Sequence, residues 1–217
     1  MAIKLIVFDF DGVFASTKKG YKHYFKKIFA KYGWNMSYNN IESALGPKSH
    51  TVIANLTKMK SNDPLVLKMA YEVDMSLIKH GMKFVKIKKN IIPDLDSLKK
   101  MCILALRTNS RRPFVSAVMD KSHIRSKFYS KFAAVVTVEN KIDKEFAIRK
   151  FMKKFHANKN ETIYVGDMVN DVQVAKKIGC TSVAIVGWHS ANKLNQEKPD
   201  YLIRKLRALK RIVKNIN

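Results

Sequence analysis

From Leu95 onward, short apolar runs rich in β-branched residues alternate with helical patterns, and this alternation restricts the fold more than any other feature of the chain. Leu95–Met101 reads as a short helix and Cys102–Arg107 as a strand. Phe114–Lys121 reads as a helix, Ala133–Val138 as a strand, and Phe146–Phe155 as a helix. Glu161–Val165 is a strand, Val169–Ile178 a helix, Thr181–Val186 a strand, and Tyr201–Val213 a final helix. A further apolar run, Lys4–Phe8, is closed by Asp-Phe-Asp-Gly and reads as a buried first strand. Strands alternating with helices imply a parallel sheet covered on both faces. The expectation is an α/β protein with a Rossmann-like parallel sheet core.

One block departs from the alternation. Lys18–Tyr32 sets Tyr21, Tyr24, Phe25, Ile28, Phe29 and Tyr32 three and four residues apart, the spacing of one apolar helix face. Helical patterns continue through Ile41–Leu45, Ser49–Met59 and Pro64–His80, broken near Gly33, Gly46-Pro47 and Ser61–Pro64. No strand signal interrupts them. Residues 15–90 are therefore expected to form an all-helical insertion, with residues 1–14 and 91–217 forming the α/β core.

Hydrophobic residues make up 47% of the chain, enough for a packed interior, which excludes a disordered protein. No apolar run has the roughly 18–20 residues that a membrane span needs. Ile3–Phe8 is short, carries Lys4 and ends in Asp9, so it does not read as a signal peptide. Cys102 and Cys180 lie in apolar surroundings without CxxC spacing, which points to buried thiols and a reduced, cytoplasmic setting. Lys and Arg total 42 against 17 acids, a net charge of +25. The lysines are spread along the whole chain, as on a solvated basic surface. Such a charge also attracts phosphorylated metabolites, nucleic acid or an acidic membrane surface.

The chemistry concentrates at strand ends, where open α/β sheets build their sites. Asp9, Asp11, Thr108 and Asp167 all fall there, and Lys141 follows shortly after another strand. Asp9 and Asp11 are two apart, so they point to one side while Phe10 points to the other. Two carboxylates this close repel in a partly dry site, and a Mg²⁺ ion removes the conflict. Asp167 and Asp171 are four apart, about one helical turn, and can face the same ion. Each piece alone also has an ordinary reading, as a strand end, a helix cap or a surface lysine. The combination in this order is what points to a site. The six histidines show no paired metal-ligand spacing.

Val7-Phe8-Asp9-Phe10-Asp11-Gly12-Val13 resembles the first signature of the haloacid dehalogenase (HAD) superfamily. Ala105-Leu106-Arg107-Thr108-Asn109 resembles the second, and Tyr164-Val165-Gly166-Asp167-Met168-Val169-Asn170-Asp171 the fourth. The third, a lysine in Lys-Pro-Asp-Pro-Glu, corresponds to Lys141-Ile142-Asp143-Lys144-Glu145, in which both prolines are missing. Lys141 is the first choice for its lysine and Lys144 the alternative. Leu45-Gly46-Pro47, Ile92-Pro93-Asp94-Leu95, Gly187-Trp188 and Lys198-Pro199-Asp200-Tyr201-Leu202-Ile203 are similar to patterns of the phosphoglycolate phosphatase-like subgroup, which carries a helical cap at the position of the insertion.

The resemblance implies a Mg²⁺-dependent phosphatase acting on a small phosphorylated metabolite, with phosphoglycolate the leading substrate. Asp9 attacks phosphorus and becomes an aspartyl-phosphate. Asp11 protonates the leaving alcohol and then activates water. Thr108, Asn109 and Lys141 hold the phosphoryl oxygens. Mg²⁺ lies on Asp9, the Asp11 backbone carbonyl and Asp167, with Asp171 in or just behind the ligand set. An acid at Asp11 argues against dehalogenation, which has no alcohol to protonate. Lys48, after Gly46-Pro47, could reach an anionic substrate tail, and Arg111 and Arg112 could lend positive potential to the site. The same scaffold also supports a phosphosugar mutase or a pyrophosphatase. A rival of another class is a nucleic-acid-associated protein using the basic face of Tyr201–Ile216.

Overall fold

In the computed structural model, which describes residues 2–217, the elements follow in this order. Strand β1 (Leu5–Phe8) leads to the short strand β2 (Ala15–Ser16) and helices α1 (Lys18–Lys31), α2 (Tyr38–Ala44), α3 (Ser49–Thr57) and α4 (Pro64–His80). Then come β3 (Lys86–Ile87), α5 (Ile91–Lys99), β4 (Ile103–Arg107), α6 (Arg112–Asp120), α7 (Arg125–Tyr129) and β5 (Ala134–Val136). The chain ends with α8 (Lys144–Lys154), β6 (Thr162–Gly166), α9 (Val169–Ile178), β7 (Thr181–Ile185), α10 (Ala191–Asn195), β8 (Tyr201–Ile203) and α11 (Ala208–Ile216).

Six strands form one sheet in the order β5-β4-β1-β6-β7-β8, with every pairing parallel. Strand β1 lies between β4 and β6, so the strand order reverses beside it, and the switch point falls where Asp9 leaves the sheet. Its four residues are all buried. Their alternation divides the interior in two. Leu5 and Val7 pack with Ala105 and Tyr164 against α8 and α9, through Ala147, Ile148, Phe151, Ala175 and Ile178. Ile6 and Phe8 face the other layer with Leu106, Val165, Leu95, Val115, Val118 and Leu209. Each fully buried side chain of this kind contributes roughly 1.5–3 kcal/mol, so the strand that carries the site is among the most firmly held parts of the chain.

The second layer continues without a break into α1–α4, where Phe25, Phe29, Ile41, Val52 and Val73 belong to the same cluster. Asp63 caps α4 by accepting from Leu65 N at 2.8 Å, and Pro64 opens its first turn.

Two expectations need correction. The chain around the helical block is not strand-free: β2 pairs antiparallel with β3 at its base. Strands of two residues are too short to show a period. The expected final helix also divides. Tyr201–Ile203 is the edge strand β8, paired with Val183–Ile185, and only Ala208–Ile216 is helical. The spacing of Leu202, Leu206, Leu209 and Val213 imitates a helix face. Asp200 decides otherwise, because its Oδ2 accepts from Ser182 N at 2.8 Å and Ser182 Oγ at 2.7 Å and ties this segment to β7. The apolar face of α11 (Leu209, Ile212, Val213) is buried, while Lys210, Arg211 and Lys214 are exposed.

Candidate active site

Asp9 is the first residue beyond β1, held to the sheet by its own N–H donating to Val165 O at 2.9 Å. It is buried, and its Oδ1 accepts from Phe10 N at 2.7 Å. Phe10 points away from the site, among the rings of Phe14 and Phe128. Gly12 then turns the chain at φ +70°, and a Cβ there would lie 1.6 Å from Asp167 Oδ2. The turn thus requires glycine both for its backbone angle and for the approach of a carboxylate.

Asp11 is enclosed by hydroxyls. Thr17 Oγ1 donates to its Oδ1 at 2.6 Å and Ser110 Oγ to its Oδ2 at 2.5 Å. Tyr21 Oη lies 2.9 Å from Ser110 Oγ. Burial, and then the negative charge of Asp9, push the Asp11 carboxyl up to about 6, against the pull of the two hydroxyls. Asp11 can therefore hold a proton close to neutral pH beside the Asp9 carboxylate.

The lysine that reaches the acidic cluster is Lys144 rather than Lys141. Lys141 is exposed, at φ 56°, where a short turn ends. Asp143 caps α8 by accepting from Phe146 N at 2.7 Å, which makes Lys144 the first residue of the helix. Its Nζ donates to Asp9 Oδ2 at 2.7 Å and also to Asp171 Oδ1. Burial works to discharge this ammonium, but Asp171 and Asp9 outweigh it and hold its pKa well above the ordinary lysine value.

Asp167 follows β6 and accepts at Oδ2 from Trp188 N at 2.5 Å. Burial, then the neighbouring Asp171, push its pKa well up. Asp171 sits one turn into α9 with both oxygens engaged. Oδ2 accepts from Asp167 N at 3.1 Å and Met168 N at 3.0 Å, and Oδ1 accepts from Tyr164 Oη at 3.0 Å as well as from Lys144. Its place is behind the site, aiming the Asp167 loop and Lys144. Gly166 lets it come so close, since a Cβ there would meet Asp171 Cγ at 2.3 Å.

Thr108 is fully buried, and its Oγ1 accepts from Ser110 N at 3.0 Å. Asn109 and Ser110, one and two residues on, face the cavity. Asn109 links layers: its Oδ1 accepts from Arg107 Nη1 at 2.7 Å, and its Nδ2 donates to Gly46 O at 3.3 Å. Arg111 is taken up by Asp74, Nε to Oδ2 at 2.7 Å. Lys48 lines a wider groove beyond Asn109, together with Arg107, Lys144 and Lys177.

Asp9, Asp11 and Asp167 line one cavity of about 40 Å³, roofed by Tyr21, Leu45 and Gly46 from the inserted helices and their connections. Sequence reasoning missed Thr17, Ser110, Tyr21 and Trp188. Ser110 had a signal, two residues beyond Thr108 at a strand end. Tyr21 had none, because its spacing matched an ordinary apolar face.

The donor set fits a small, hard cation. Three carboxylates, buried at Asp9 and Asp167 and partly buried at Asp11, share a cavity, and Lys144 alone among the described lysines contacts the cluster. Among the described residues, no three His, Cys, Asp or Glu side chains close into a ready cage.

A parallel α/β sheet whose central strand delivers paired aspartates to a small cleft under inserted helices defines a class of hydrolytic enzyme. Residues 6–185 match the haloacid dehalogenase-like hydrolase family, and the chain belongs to it. Phosphatases of this family generally use a divalent metal. A phosphoglycolate phosphatase of Pseudomonas syringae pv. syringae (strain B728a) is 24% identical over 213 residues, covering 95% of this chain and 78% of that protein. The phosphoglycolate phosphatase of Escherichia coli (strain K12) is 27% identical over 107 residues, 49% of this chain and 42% of the relative. Among solved structures, a predicted phosphatase from Clostridium acetobutylicum superposes with a TM-score of 0.83 at 19% identity, covering 99% of this chain and 100% of the other. A hydrolase from Pseudomonas syringae superposes at 0.82 and 14% identity, covering 98% and 99%. No helix among the described residues is long and apolar enough to cross a membrane.

Proposed function

We propose that this protein is a Mg²⁺-dependent phosphatase that hydrolyses a small phosphate monoester through an aspartyl-phosphate on Asp9. The observation that carries the reading is the pairing of Asp9, on Lys144 at 2.7 Å, with Asp11, a carboxyl raised to about 6 two residues on.

A carboxylate oxygen of Asp9 forms the new bond to phosphorus as the ester P–O bond breaks, and the departing oxygen takes the proton of Asp11. Water then attacks phosphorus, Asp11 accepts its proton, and inorganic phosphate leaves with the Asp9 carboxylate restored. Lys144 takes the role expected of Lys141, offsetting charge on the phosphoryl oxygens, while Asn109 and the backbone beside Thr108 hold those oxygens. Asp9, Asp167 and the Asp11 carbonyl would hold the metal, with Asp171 positioning Asp167 and Lys144. When bound, the ion neutralises charge on the transferring group and orients it for attack.

Residues 15–90 act as the cap in this reading, over a core of residues 1–14 and 91–217. The short β2–β3 pair at their base and the Asn109–Gly46 hydrogen bond across the cleft support it. A closed cap excludes water other than the one consumed. Phosphoglycolate, named for the relatives, is the reference substrate. The buried thiols, pushed up to about 11 at Cys102 and about 12 at Cys180, suit a reducing compartment.

The test is phosphate release from a panel of monoesters with Mg²⁺ and with EDTA. Turnover that needs the ion and disappears in Asp9→Asn is expected. A folded sample that binds no Mg²⁺ and turns over nothing would end the proposal.

A further inference from the structure

Two stretches of the chain contain cations and no acid. Residues 81–93 hold Lys83, Lys86, Lys88 and Lys89, and residues 201–217 hold Arg204, Lys205, Arg207, Lys210, Arg211 and Lys214. They are far apart in sequence, and the fold sets them side by side. Lys88 and Lys89, between β3 and α5, line one open groove with Arg204, Lys205 and Arg207, between β8 and α11. Asp94 is the single acid lining that groove. Lys88 is half-buried, and Lys89, Arg204, Lys205 and Arg207 are exposed.

The charge continues along α11. Arg207 has helical backbone angles, φ −55° and ψ −26°, so it leads into the helix in register. Residues 207, 210, 211 and 214 are three and four apart and share one helix face. Lys210, Arg211 and Lys214 are exposed there, while Leu209, Ile212 and Val213 are buried on the opposite face. From Arg207 to Lys214 this face adds roughly 10 Å to the groove. Elsewhere acids take up neighbouring cations, as Glu42 does for Lys18 and Lys22, and Glu145 for Arg149 and Lys177. Among the described residues, no cation of this strip forms an ion pair. Like charges gathered in this way repel, and a polyanion laid along them removes the repulsion.

The shape and composition of the strip say which polyanion. A single phosphate fills only part of it, whereas a chain of phosphates follows its length. A membrane surface asks for apolar side chains standing beside the cations. The exposed large apolar residues of the chain, Tyr38, Leu67, Tyr71, Ile103 and Phe146, all lie outside the strip. None of them is placed to stack a base either, which leaves the backbone as the part recognised. We propose that this strip binds a nucleic-acid strand through its phosphodiester backbone. The site is separate from the phosphatase cavity, since no residue of the strip lines the cavity of Asp9.

Fluorescence anisotropy of a labelled single-stranded RNA tests this, with a control for the charge of the whole protein. Arg204→Glu/Arg207→Glu/Arg211→Glu reverses the strip. Lys150→Glu/Lys153→Glu/Lys154→Glu changes the net charge equally on the exposed side of α8, whose helix packs on the other face of the sheet. The unmodified protein should bind with a Kd on the order of 1–100 μM near physiological salt. The strip variant should lose at least about tenfold more affinity than the α8 variant, and its log–log salt slope should become shallower by about 2. Equal losses from the two variants overturn the inference in favour of diffuse charge, and so does an unmodified protein that binds no RNA at low salt. Phosphatidylserine vesicles that bind more tightly than the RNA and displace it overturn it in favour of a membrane. If circular dichroism shows the strip variant unfolded, Lys89→Gln/Lys205→Gln against Lys150→Gln/Lys153→Gln decides by the same comparison of affinities.

Discussion

In the acidic part of the site, the carboxylates and Lys144 leave the end of a sheet strand or the first turn of a helix, and hydrogen bonds are dense. Lys144 touches two carboxylates, and Asp171 accepts from two backbone N–H groups, a tyrosine and that lysine. On the aromatic side of the cavity, Tyr21 and Phe25 come from α1, Leu45 from the turn after α2, and Trp188 from the loop after β7. The first end is a saturated polar network in a dry place, where each charge is aimed and loosening one strands another. The second is a wall of rings and apolar side chains, adaptable by changing them. Under the proposed function, the difference separates the groups that would carry phosphoryl transfer from those that would select the substrate.

The hardest blow to this division falls on Asp9. Asp9→Asn keeps the size of the side chain and removes the proposed nucleophile, so phosphate release should fall at least about a thousandfold. Steady-state assays that found most of the activity retained would move the chemistry elsewhere.

A smaller but sharper test compares two lysines. Lys144→Met strands Asp9 and Asp171 in a buried place, and urea unfolding should report a loss of about 3–5 kcal/mol together with lost turnover. Lys141→Met, three residues away and exposed, should stay within about 0.5 kcal/mol and leave turnover nearly intact. Equal effects from the two changes would dissolve the distinction between network and surface.

The smallest effect is one of pH, read on the metal-free protein in EDTA. Asp11 rises from an ordinary 3.8 to about 6 on folding. Between these values the folded chain binds the proton more tightly than the unfolded one. Its contribution to stability is therefore full below about 3.8 and declines as pH rises through about 6. Unfolding free energies for wild type and Asp11→Asn should diverge across that window. Parallel curves would mean that the Asp11 proton is not held by the fold.

The acidic pairs were legible because their signals are local. A strand closed by two acids two residues apart exposes both on one side whatever surrounds it, and Asp171 one turn from Asp167 follows from helix pitch alone. The lysine that contacts Asp9 was not legible in the same way. Lys141 and Lys144 differ only in where α8 begins, and that depends on the Asp143 cap with the helix docked on the sheet. Tyr201–Ile203 misled for a related reason, since the spacing of its leucines fits a helix and only the bonds from Asp200 to Ser182 recruit it as an edge strand. Tyr21, in an apolar helical stripe, looked like core until its hydroxyl met Ser110.

What the amino-acid sequence determined alone is the kind of architecture and the acidic machinery at its strand ends, because alternation, helix pitch and strand pleat act over a few residues. Which lysine faces Asp9, which hydroxyls hold Asp11 and which rings wall the cavity were decided only by tertiary structure. Those contacts join segments far apart in the chain, such as Tyr21 and Ser110 or Lys144 and Asp9, and packing rather than local preference brings them together.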